Sequence, residues 1–359
     1  MKTPLHDVHS GLGASFTDFA GWDMPVRYSS DLAEHRAVRE ASGLFDLSHM
    51  GEIELTGPQA AEALDHALSG KLSAVAVGRA RYTMMCNEQG GVVDDLVVYR
   101  LAEEHYLVVA NAGNAAEVSA ELVRRAGGFD TVVSDRSAET ALIAVQGPTS
   151  AAIVGAVSDA DLSALKYFAS VPATVGGREV LLARTGYTGE DGFELFVADA
   201  DATAVWQVLT EAGAGHGLVP CGLACRDTLR LEAGMPLYGH ELSADGSPFA
   251  ANLGRVVRFD KEGDFVGRTV LEKQPEPEVV LVGLAGSGRR APRHGYRVLQ
   301  GDEEVGEITS GALSPTLGHP IAMAYVPVRC SEPGTGLSAD IRGRLEPVEV
   351  VALPFYQRR

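Results

Sequence analysis

The stretch QPEPE at residues 274 to 278 divides this chain of 359 residues into two unequal parts. Two prolines flanked by acidic residues favour an extended, solvated connector. Six short β-rich runs follow it, separated by glycine and proline: VVLVGL, YRVL, EVGEITSG, IAMAYV, GLSADIRG and PVEVVAL. This pattern predicts a small antiparallel barrel or sandwich. The whole chain is long for one hydrophobic core, so we expect two or three lobes.

The part before the connector mixes helix and strand patterns. The segment EHYLVVANAGNAAEVSAELVRRAGG predicts a strand and then a helix, with Asn114 as its N-cap, Glu117 three residues later and glycine at its end. The segment TALIAVQGPTSAAIVGAV repeats this order, with Pro148 near the helix start. Hairpin signals such as EDG at 190 to 192 lie between these units. We therefore predict an α+β fold rather than a regular parallel sheet.

The strand candidate VVDDLVVY, residues 92 to 99, places two adjacent aspartates among apolar residues. Successive side chains of a strand point to opposite faces, so we expect Asp94 to share a face with Val92, and Asp95 with Val93. Both faces are otherwise apolar, and burying an unpaired carboxylate there costs several kcal/mol. At least one of these carboxylates therefore needs a partner or a ligand.

A third carboxylate lies in the strand pattern FELFV, which follows the glycine-rich turn GYTGEDG. Phe193, Leu195 and Val197 share one face of this strand, and Glu194 lies on the other. Taken alone, Glu194 fits an exposed edge or a salt bridge. The glycines do not match GxGxxG, and an acidic turn would repel pyrophosphate, so dinucleotide binding is not predicted.

The segment PCGLACRDTLRLEAG, residues 220 to 234, predicts a helix with proline and glycine in front and glycine behind. Arg226 and Arg230 lie one turn apart on it, where like charges repel. Either both arginines are solvated, or they meet carboxylates such as Asp227 and Glu232, or a ligand. The spacing alone leaves these alternatives open.

Composition argues against several classes of function. The net charge of -18 disfavours nucleic acid and anionic membranes, because both need clustered basic residues. The first residues lack a signal-peptide pattern, and no apolar run of membrane-spanning length occurs, so we expect a cytoplasmic protein. The four scattered cysteines, Cys86, Cys221, Cys225 and Cys330, predict reduced thiols. Because no HExxH or paired histidine spacing accompanies them, we predict no metal site.

Eight segments stand out when the chain is taken in order: TPLHDVH, FAGWDMPVRY, LFDLSHMGEI, NEQGGVVDDL, VQGP, GYTGEDGFEL, CRDTLRLEAGMPLYGHEL and ITSGALSP. Together they resemble the aminomethyltransferase, or T protein, family of the glycine cleavage system. The resemblance covers nearly the whole chain. It implies an α+β cloverleaf of three lobes around a folate channel, with two intertwined lobes in 1–275, the second roughly 51–135, and a C-terminal antiparallel β-barrel in 276–359.

The same resemblance implies a reaction and its partners. An aminomethyl group carried on the lipoyl arm of an H protein is expected to pass its methylene to tetrahydrofolate. The products are ammonia, 5,10-methylenetetrahydrofolate and the dihydrolipoyl arm. Folate and the lipoylated H protein are thus the expected partners, with no metal, nucleic acid or membrane.

The family's catalytic aspartate falls on Asp95, the second acid of DDL. A carboxylate there would orient the weakly nucleophilic folate N10, stabilise positive charge on the departing methylene and, as a lesser role, act as a general base. We interpret Asp94 as structural or bonded to the backbone. The expected folate contacts are Glu194, Arg226, Tyr356, Met50, Tyr82, Asn111 and Tyr187.

The roles within this group differ. Glu194 is expected to accept from adjacent N–H groups on the pyrimidine edge of the pterin. Arg226 would bind the pterin carbonyl, orient Glu194 or meet a folate carboxylate, and these choices stay open. For Met50, Tyr82, Asn111 and Tyr187, core packing is an alternative to pocket lining.

Two features go beyond the resemblance. Arg255 stands in ANLGRVVRF where many relatives have tryptophan, which affects the shape or polarity of that loop. A basic cluster is expected either to receive an anionic partner, namely the H protein surface or a polyglutamate folate tail, or to be a solvated strand surface. Its members are Arg289, Arg290, Arg293, His294 and Arg297.

Two other functions fit this sequence less well. Folate-dependent demethylating modules of sarcosine or dimethylglycine dehydrogenases carry a flavin domain, for which this chain lacks both the length and a GxGxxG motif. Noncatalytic folate-binding proteins related to iron-sulfur assembly carry KGCYxGQE, where this chain reads TGYTGEDG. The sequence therefore favours the enzyme.

Overall fold

The computed structural model describes residues 1–274 and 276–358. Pro275, at the predicted boundary between the two parts, and Arg359, at the predicted end of the barrel, lie outside the described residues. The described strands form a hairpin, a six-stranded sheet, a five-stranded sheet and a closed six-stranded barrel. Helices pack against these strands, so the predicted α+β fold with a C-terminal antiparallel barrel is confirmed.

The amino-terminal segment forms a helix, a hairpin and a second helix. The elements are α1 (His6–Gly11), β1 (Ser15–Phe19), β2 (Trp22–Arg27) and α2 (Asp31–Glu40). The hairpin turns at Ala20 and Gly21, which both have positive φ. Glycine adopts that conformation without strain, which explains Gly21 at the second position of this turn. The side chain of Ser30 caps α2 by accepting a hydrogen bond from the Ala33 N–H.

The six-stranded sheet has the strand order β10-β11-β12-β9-β3-β13. Only β13 pairs in parallel, with β3; the other neighbours are antiparallel. Two helices, α5 (Ser150–Val157) and α6 (Ala202–Gly213), cover one face and enclose a core around Trp206. The strands are β3 (Ser42–Asp46), β9 (Thr140–Gln146), β10 (Ser170–Val175), β11 (Arg178–Ala183), β12 (Gly192–Ala198) and β13 (Leu218–Pro220).

The five-stranded sheet is antiparallel throughout, with the order β5-β6-β7-β4-β8. Its strands are β4 (Gly51–Thr56), β5 (Arg79–Cys86), β6 (Val92–Ala102), β7 (His105–Ala110) and β8 (Val132–Asp135). Helices α3 (Ala60–Ala67) and α4 (Ala115–Ala126) cover one face. The other face packs against the six-stranded sheet through an apolar layer that includes Phe45, Tyr99 and Phe196.

A long segment joins β13, the last strand of the six-stranded sheet along the chain, to the barrel. It contains α7 (Leu223–Glu232), which glycines precede and follow as predicted, and the short α8 (Arg268–Lys273). Between them, the Lys261 ammonium group donates to the backbone carbonyls of Leu68 and Gly70, which ties this segment to the end of α3. Within the described residues, no helix has both the length and the apolar character needed to cross a bilayer.

The carboxy-terminal barrel closes in the order β14-β17-β16-β15-β18-β19, and every pair is antiparallel. The six predicted β-rich runs correspond to its six strands. These are β14 (Val279–Gly286), β15 (Arg297–Gln300), β16 (Glu303–Leu313), β17 (Pro320–Pro327), β18 (Gly336–Asp340) and β19 (Leu345–Val351). Closure removes exposed strand edges, and small aliphatic side chains fill the interior.

Candidate active site

A cavity of about 550 Å³ lies between the two open sheets, α7 and the loop that follows α7. Its volume falls within the range typical of small-molecule sites. Seven of the eight predicted site residues line it: Met50, Tyr82, Asp95, Asn111, Tyr187, Glu194 and Arg226. The walls are otherwise largely apolar, and none of the described barrel residues is among them.

Asp95 is held from two directions at the cavity wall. The Tyr82 hydroxyl donates to Oδ2 over 3.0 Å, and the Asn111 side-chain amide donates to Oδ1 over 2.9 Å. These donors come from β5 and from the end of β7, the strands on either side of β6. Burial raises the pKa of Asp95 to about 6, although both hydrogen bonds oppose the shift. Near neutral pH the cavity therefore contains an oriented carboxylate.

A bulge changes how β6 presents its side chains. The pairing of β5 with β6 shifts between Met85 and Cys86, and this leaves Val93 as the extra residue. Val93 consequently joins the helix-covered core with Leu96 and Val98, and the predicted common face of Val93 and Asp95 is wrong. Strict alternation holds only beyond the bulge, where Asp95 faces the cavity and Asp94 faces the start of α4.

Asp94 is fully buried and has three hydrogen-bond donors. The backbone N–H of Asn111 donates to Oδ2 over 2.9 Å, which agrees with the predicted backbone bond. The side-chain amides of Asn111 and Asn114 donate to Oδ1 over 2.8 and 2.7 Å. Asn114 occupies the N-cap position of α4, but its side chain makes no cap hydrogen bond. The side chain of this residue bonds to Asp94 instead.

Glu194 lies on the face of β12 that the alternation predicts, and its carboxylate reaches the cavity. Thr185 and Tyr99 both donate to Oε2, the latter over 3.4 Å. Phe193, on the opposite face, packs into the core of the six-stranded sheet. Both donors bond to Oε2, so Oε1 is available to accept hydrogen bonds from a ligand.

The two arginines of α7 have different environments. Arg230 is buried and bonds to Asp227 over 2.8 Å and to Glu241 over 3.0 Å, so it meets carboxylates. Arg226 instead lies over the ring of Tyr187, 4.8 Å from its centroid, and its Nη1 is buried with no hydrogen-bond partner among the described residues. Burial lowers the pKa of Arg226, and the charge of Glu194 opposes this shift. A guanidinium with an unsatisfied donor in a cavity is suited to a ligand acceptor.

His49 is a cavity residue that the sequence interpretation missed. It is 4% exposed, and its Nδ1 is buried without a partner among the described residues. Burial lowers its pKa to about 4; Asp46 opposes this shift, and Arg226 adds to it. The imidazole is therefore neutral at physiological pH. The only signal in the sequence was its position beside the pocket residue Met50.

Tyr356, the eighth predicted site residue, does not line the cavity. The Arg39 guanidinium lies over its ring, 4.0 Å from the centroid. Arg39 also donates to the Thr188 carbonyl over 2.7 Å and to Glu190 over 2.9 Å. The turn that holds these two acceptors also carries Tyr187, so Tyr356 is connected to the cavity through Arg39.

The basic cluster lies on the barrel surface, and its members are exposed. Arg297 is paired with Asp340 over 2.5 Å and with Glu304 over 3.5 Å, so it is not an available cation. Arg290 and Arg293 line a second cavity of about 490 Å³ together with Arg342. The ring of His294 lies beside that of His240 at an interplanar angle of 37°, with 4.8 Å between the centroids. His240 follows the cavity residue Tyr238 by two positions. The cluster therefore begins close to the main cavity.

Two other predictions concern side chains away from the main cavity walls. Arg255 is exposed, and Leu253, two residues earlier, lines the cavity instead. Cys221 and Cys225 are buried free thiols whose sulfur atoms lie within 4.8 Å of the Glu34 carboxylate. That carboxylate already accepts three backbone hydrogen bonds, from Tyr28, Ser29 and Gly222. Burial raises the pKa of Cys221, so its sulfur is a protonated thiol at neutral pH.

Sequence and structure comparisons give the same result over the whole chain. Residues 5–261 match the family described as GCVT N-terminal domain, and residues 280–357 match the glycine cleavage T-protein C-terminal barrel domain. An aminomethyltransferase of Saccharopolyspora erythraea is 64% identical over 99% of this chain and 98% of its own length. One from Bacillus subtilis is 45% identical over 99% of each chain.

A solved structure also matches. The crystal structure of glycine cleavage system aminomethyltransferase T from Bartonella henselae superposes with a TM-score of 0.93 at 36% sequence identity. The match covers 100% of this chain and 99% of that one.

Proposed function

The chain belongs to the glycine cleavage T protein family of aminomethyltransferases, and we propose that its cavity binds tetrahydrofolate beside the aminomethyl-lipoyl arm of an H protein. The enzyme then transfers the methylene group to the folate, with release of ammonia and the dihydrolipoyl arm. The single observation that carries this proposal is the Asp95 carboxylate, fixed by Tyr82 and Asn111 at the wall of a largely apolar cavity.

Asp95 acts first by orientation and charge. A carboxylate that accepts the N10–H hydrogen bond directs the nitrogen lone pair and increases its electron density. As the methylene group leaves sulfur, positive charge develops near the same carboxylate, and an anion fixed in advance stabilises that charge. A pKa of about 6 also allows Asp95 to receive a proton and release it again near neutral pH.

Glu194 and Arg226 bind the pterin. Oε1 of Glu194 accepts from the N–H groups on the pyrimidine edge. The Nη1 of Arg226, for which the described residues offer no hydrogen-bond partner, donates to a pterin acceptor. Met50 and Tyr187 supply the surrounding apolar wall. Tyr356 supports this end of the cavity through Arg39, and a direct folate contact remains the alternative role.

The basic cluster supplies an anion site outside the cavity. Arg289, Arg290 and Arg293 are exposed in an otherwise acidic protein, and the ring of the neighbouring His294 contacts that of His240 near the cavity wall. We assign the cluster to the polyglutamate tail of folate or to an acidic surface of the H protein.

We also propose the division of the chain into a folate-binding region, 1–275, and a barrel domain, 276–359. All five strands of the second sheet lie between Gly51 and Asp135, which supports a second lobe of roughly 51–135. Its helix-covered apolar core supports the same division.

The direct test is an assay of ammonia released from aminomethyl-loaded H protein. We expect release that depends on tetrahydrofolate and on enzyme concentration, with one methylenetetrahydrofolate formed for each ammonia. Free lipoamide carrying the same aminomethyl group separates recognition of the arm from recognition of the carrier protein. Ammonia release at the same rate without folate would contradict the proposal.

A further inference from the structure

The two adjacent aspartates of β6 are connected through a single side chain. The Asn111 Nδ2 atom lies 2.8 Å from Asp94 Oδ1 and 2.9 Å from Asp95 Oδ1. The same atom lies 3.1 Å from the backbone carbonyl of Asp95. This nitrogen has two hydrogens for three acceptors. Its bonds to the two carboxyl groups therefore depend on each other.

Asp94 fixes Asn111 at two points. Its Oδ1 accepts from the Asn111 side chain, and its Oδ2 accepts from the Asn111 backbone N–H over 2.9 Å. The second residue bonded to Oδ1, Asn114, anchors Asp94 to the start of α4 over 2.7 Å. Asp94 itself is fully buried, so it cannot contact a ligand in the cavity. Its contacts instead decide where the Asn111 amide points.

We propose that Asp94 is a positioning residue for the transfer reaction, which acts through Asn111 to hold the Asp95 carboxylate toward the cavity, and that the two carboxyl groups titrate as one unit. This inference rests on the proposed role of Asp95. Misplacement of a reacting group by about 1 Å can lower a rate by about a hundredfold. Asp94 therefore affects the reaction rate through the position of the Asp95 carboxylate.

The electrostatic surroundings support a coupled pair. Burial raises the pKa of Asp95 to about 6 and that of Asp94 to about 7, and the charge of Asp95 adds to the shift of Asp94. The phenols of Tyr82, Tyr187 and Tyr238 also face the pair, and burial raises their pKa values. Glu194, Arg226 and His49 line the same cavity, and the exposed Glu117 lies in the first turn of α4. These phenols stay neutral between about pH 5 and 8, where the two carboxyl groups change charge.

The test is Asp94→Asn in the full-length enzyme. Asparagine has the same shape as aspartate, but one of its two terminal atoms is an NH2 group, which cannot accept a hydrogen bond. Asn111 therefore loses one of its two hydrogen bonds to residue 94. We expect kcat to fall about tenfold or more and the tetrahydrofolate Kd to stay within about threefold. We also expect the acid side of the kcat/KM profile to change from two ionisations to one, which loss of a merely structural contact would not produce.

A matched control is Glu117→Gln. Glu117 is an exposed acid in the first turn of α4, and within the described part of the chain its side chain makes no hydrogen bond with Asn111. The same loss of one negative charge near the pair should leave kcat and both ionisations unchanged. An equal effect of Glu117→Gln would overturn the proposal, because it would show a general change of potential.

A second measurement does not require Asp94→Asn to fold. Aspartate labelled with ¹³C at the side-chain carboxyl is observed by NMR in the wild-type protein as pH is varied. We expect the Asp94 and Asp95 resonances each to titrate in two steps, because each carboxyl senses the other. Two independent single-step curves would overturn the proposal.

The failure of this inference is distinguishable from failure of the proposed function. If Asp95→Asn abolishes transfer and Asp94→Asn keeps the wild-type kcat and pH profile, only the role of Asp94 is wrong. If Asp95→Asn keeps the wild-type rate, the proposed function of Asp95 is wrong, and the role of Asp94 falls with it.

Discussion

The hydroxyl of Tyr82 lies 3.0 Å from Oδ2 of Asp95 and donates a hydrogen bond to it. A buried carboxylate with a phenol on one oxygen and an amide on the other has little freedom to rotate. This restraint leaves the carboxylate oriented before substrates arrive, which is the condition for electrostatic stabilisation without reorganisation.

The first prediction concerns Asp95 itself. Asp95→Asn should lower kcat by about a hundredfold or more, because the neutral amide neither accepts the N10 proton nor stabilises positive charge. Folate binding, measured by equilibrium fluorescence, should stay within about tenfold of wild type. Tyr82→Phe removes only one restraint and should cost less. An equal loss in binding and rate would identify Asp95 as a ligand anchor.

The second prediction concerns Glu194. Glu194→Gln replaces a charged acceptor with an amide that must present its oxygen, so the paired bonds to the pterin edge weaken. Charge-assisted hydrogen bonds contribute about 1.5–3 kcal/mol, so we expect the folate Kd to rise about 10- to 100-fold. The value of kcat at saturating folate should change less. A variant with unchanged Kd would place the pterin elsewhere in the cavity.

The third prediction separates two roles for Tyr356. Tyr356→Phe keeps the ring beneath Arg39 and removes the hydroxyl, so we expect the folate Kd to stay within about threefold. Tyr356→Ala removes the cation–π contact and should lower the free energy of unfolding by about 0.5–2 kcal/mol. Urea denaturation and fluorescence titration measure the two effects. A tenfold weaker folate affinity in Tyr356→Phe would support a direct contact instead.

The fourth prediction concerns the buried acid Glu52, whose two carboxyl oxygens have no hydrogen-bond partner among the described residues. Burial, with a contribution from Asp135, raises its pKa well above the usual 4.5. The folded protein thus holds a proton that the unfolded chain releases above about pH 4.5. The associated stability is present below that pH and is lost as pH rises toward the folded-state pKa.

Glu52→Gln removes this dependence. The free energy of unfolding of the variant minus that of wild type should increase by about 1 kcal/mol or more as the pH rises from 5 to 8. Urea denaturation at several pH values provides the measurement. Glu104→Gln is the control, because Glu104 is exposed in the turn between β6 and β7. A pH-independent difference for Glu52→Gln would show that Glu52 does not carry the extra proton.

The fifth prediction concerns the basic cluster. Combined Arg289→Glu and Arg290→Glu should raise KM for polyglutamyl folate or for the H protein about tenfold at low salt, and salt should reduce the difference. Monoglutamyl folate separates the two partners, because it lacks the tail. Arg329→Glu reverses a charge elsewhere on the barrel, where Arg329 pairs with Glu303, and should have no such effect. Identical salt-dependent kinetics with both substrates would show that the cluster is a solvated surface.

Much of the fold and part of the site could be predicted from the sequence, because they depend on local patterns. The six barrel strands are recognisable from β-rich runs separated by glycine and proline. Alternation in β12 correctly places Phe193 in the core and Glu194 on the opposite face, because no bulge interrupts that strand. The two adjacent acids in β6 already required a partner, since an unpaired buried carboxylate is costly.

Only the tertiary structure decided which groups meet, because the partners come from strands and loops that are distant in sequence. Pairing of β5, β6 and β7 brings Tyr82 and Asn111 to Asp95, and a bulge at Val93 changes the side-chain faces of β6. Packing of the two sheets brings His49 to the cavity, whereas Tyr356 lies beneath Arg39 and does not line the cavity. Side-chain periodicity describes one strand at a time, whereas hydrogen bonds at this site depend on the register between strands.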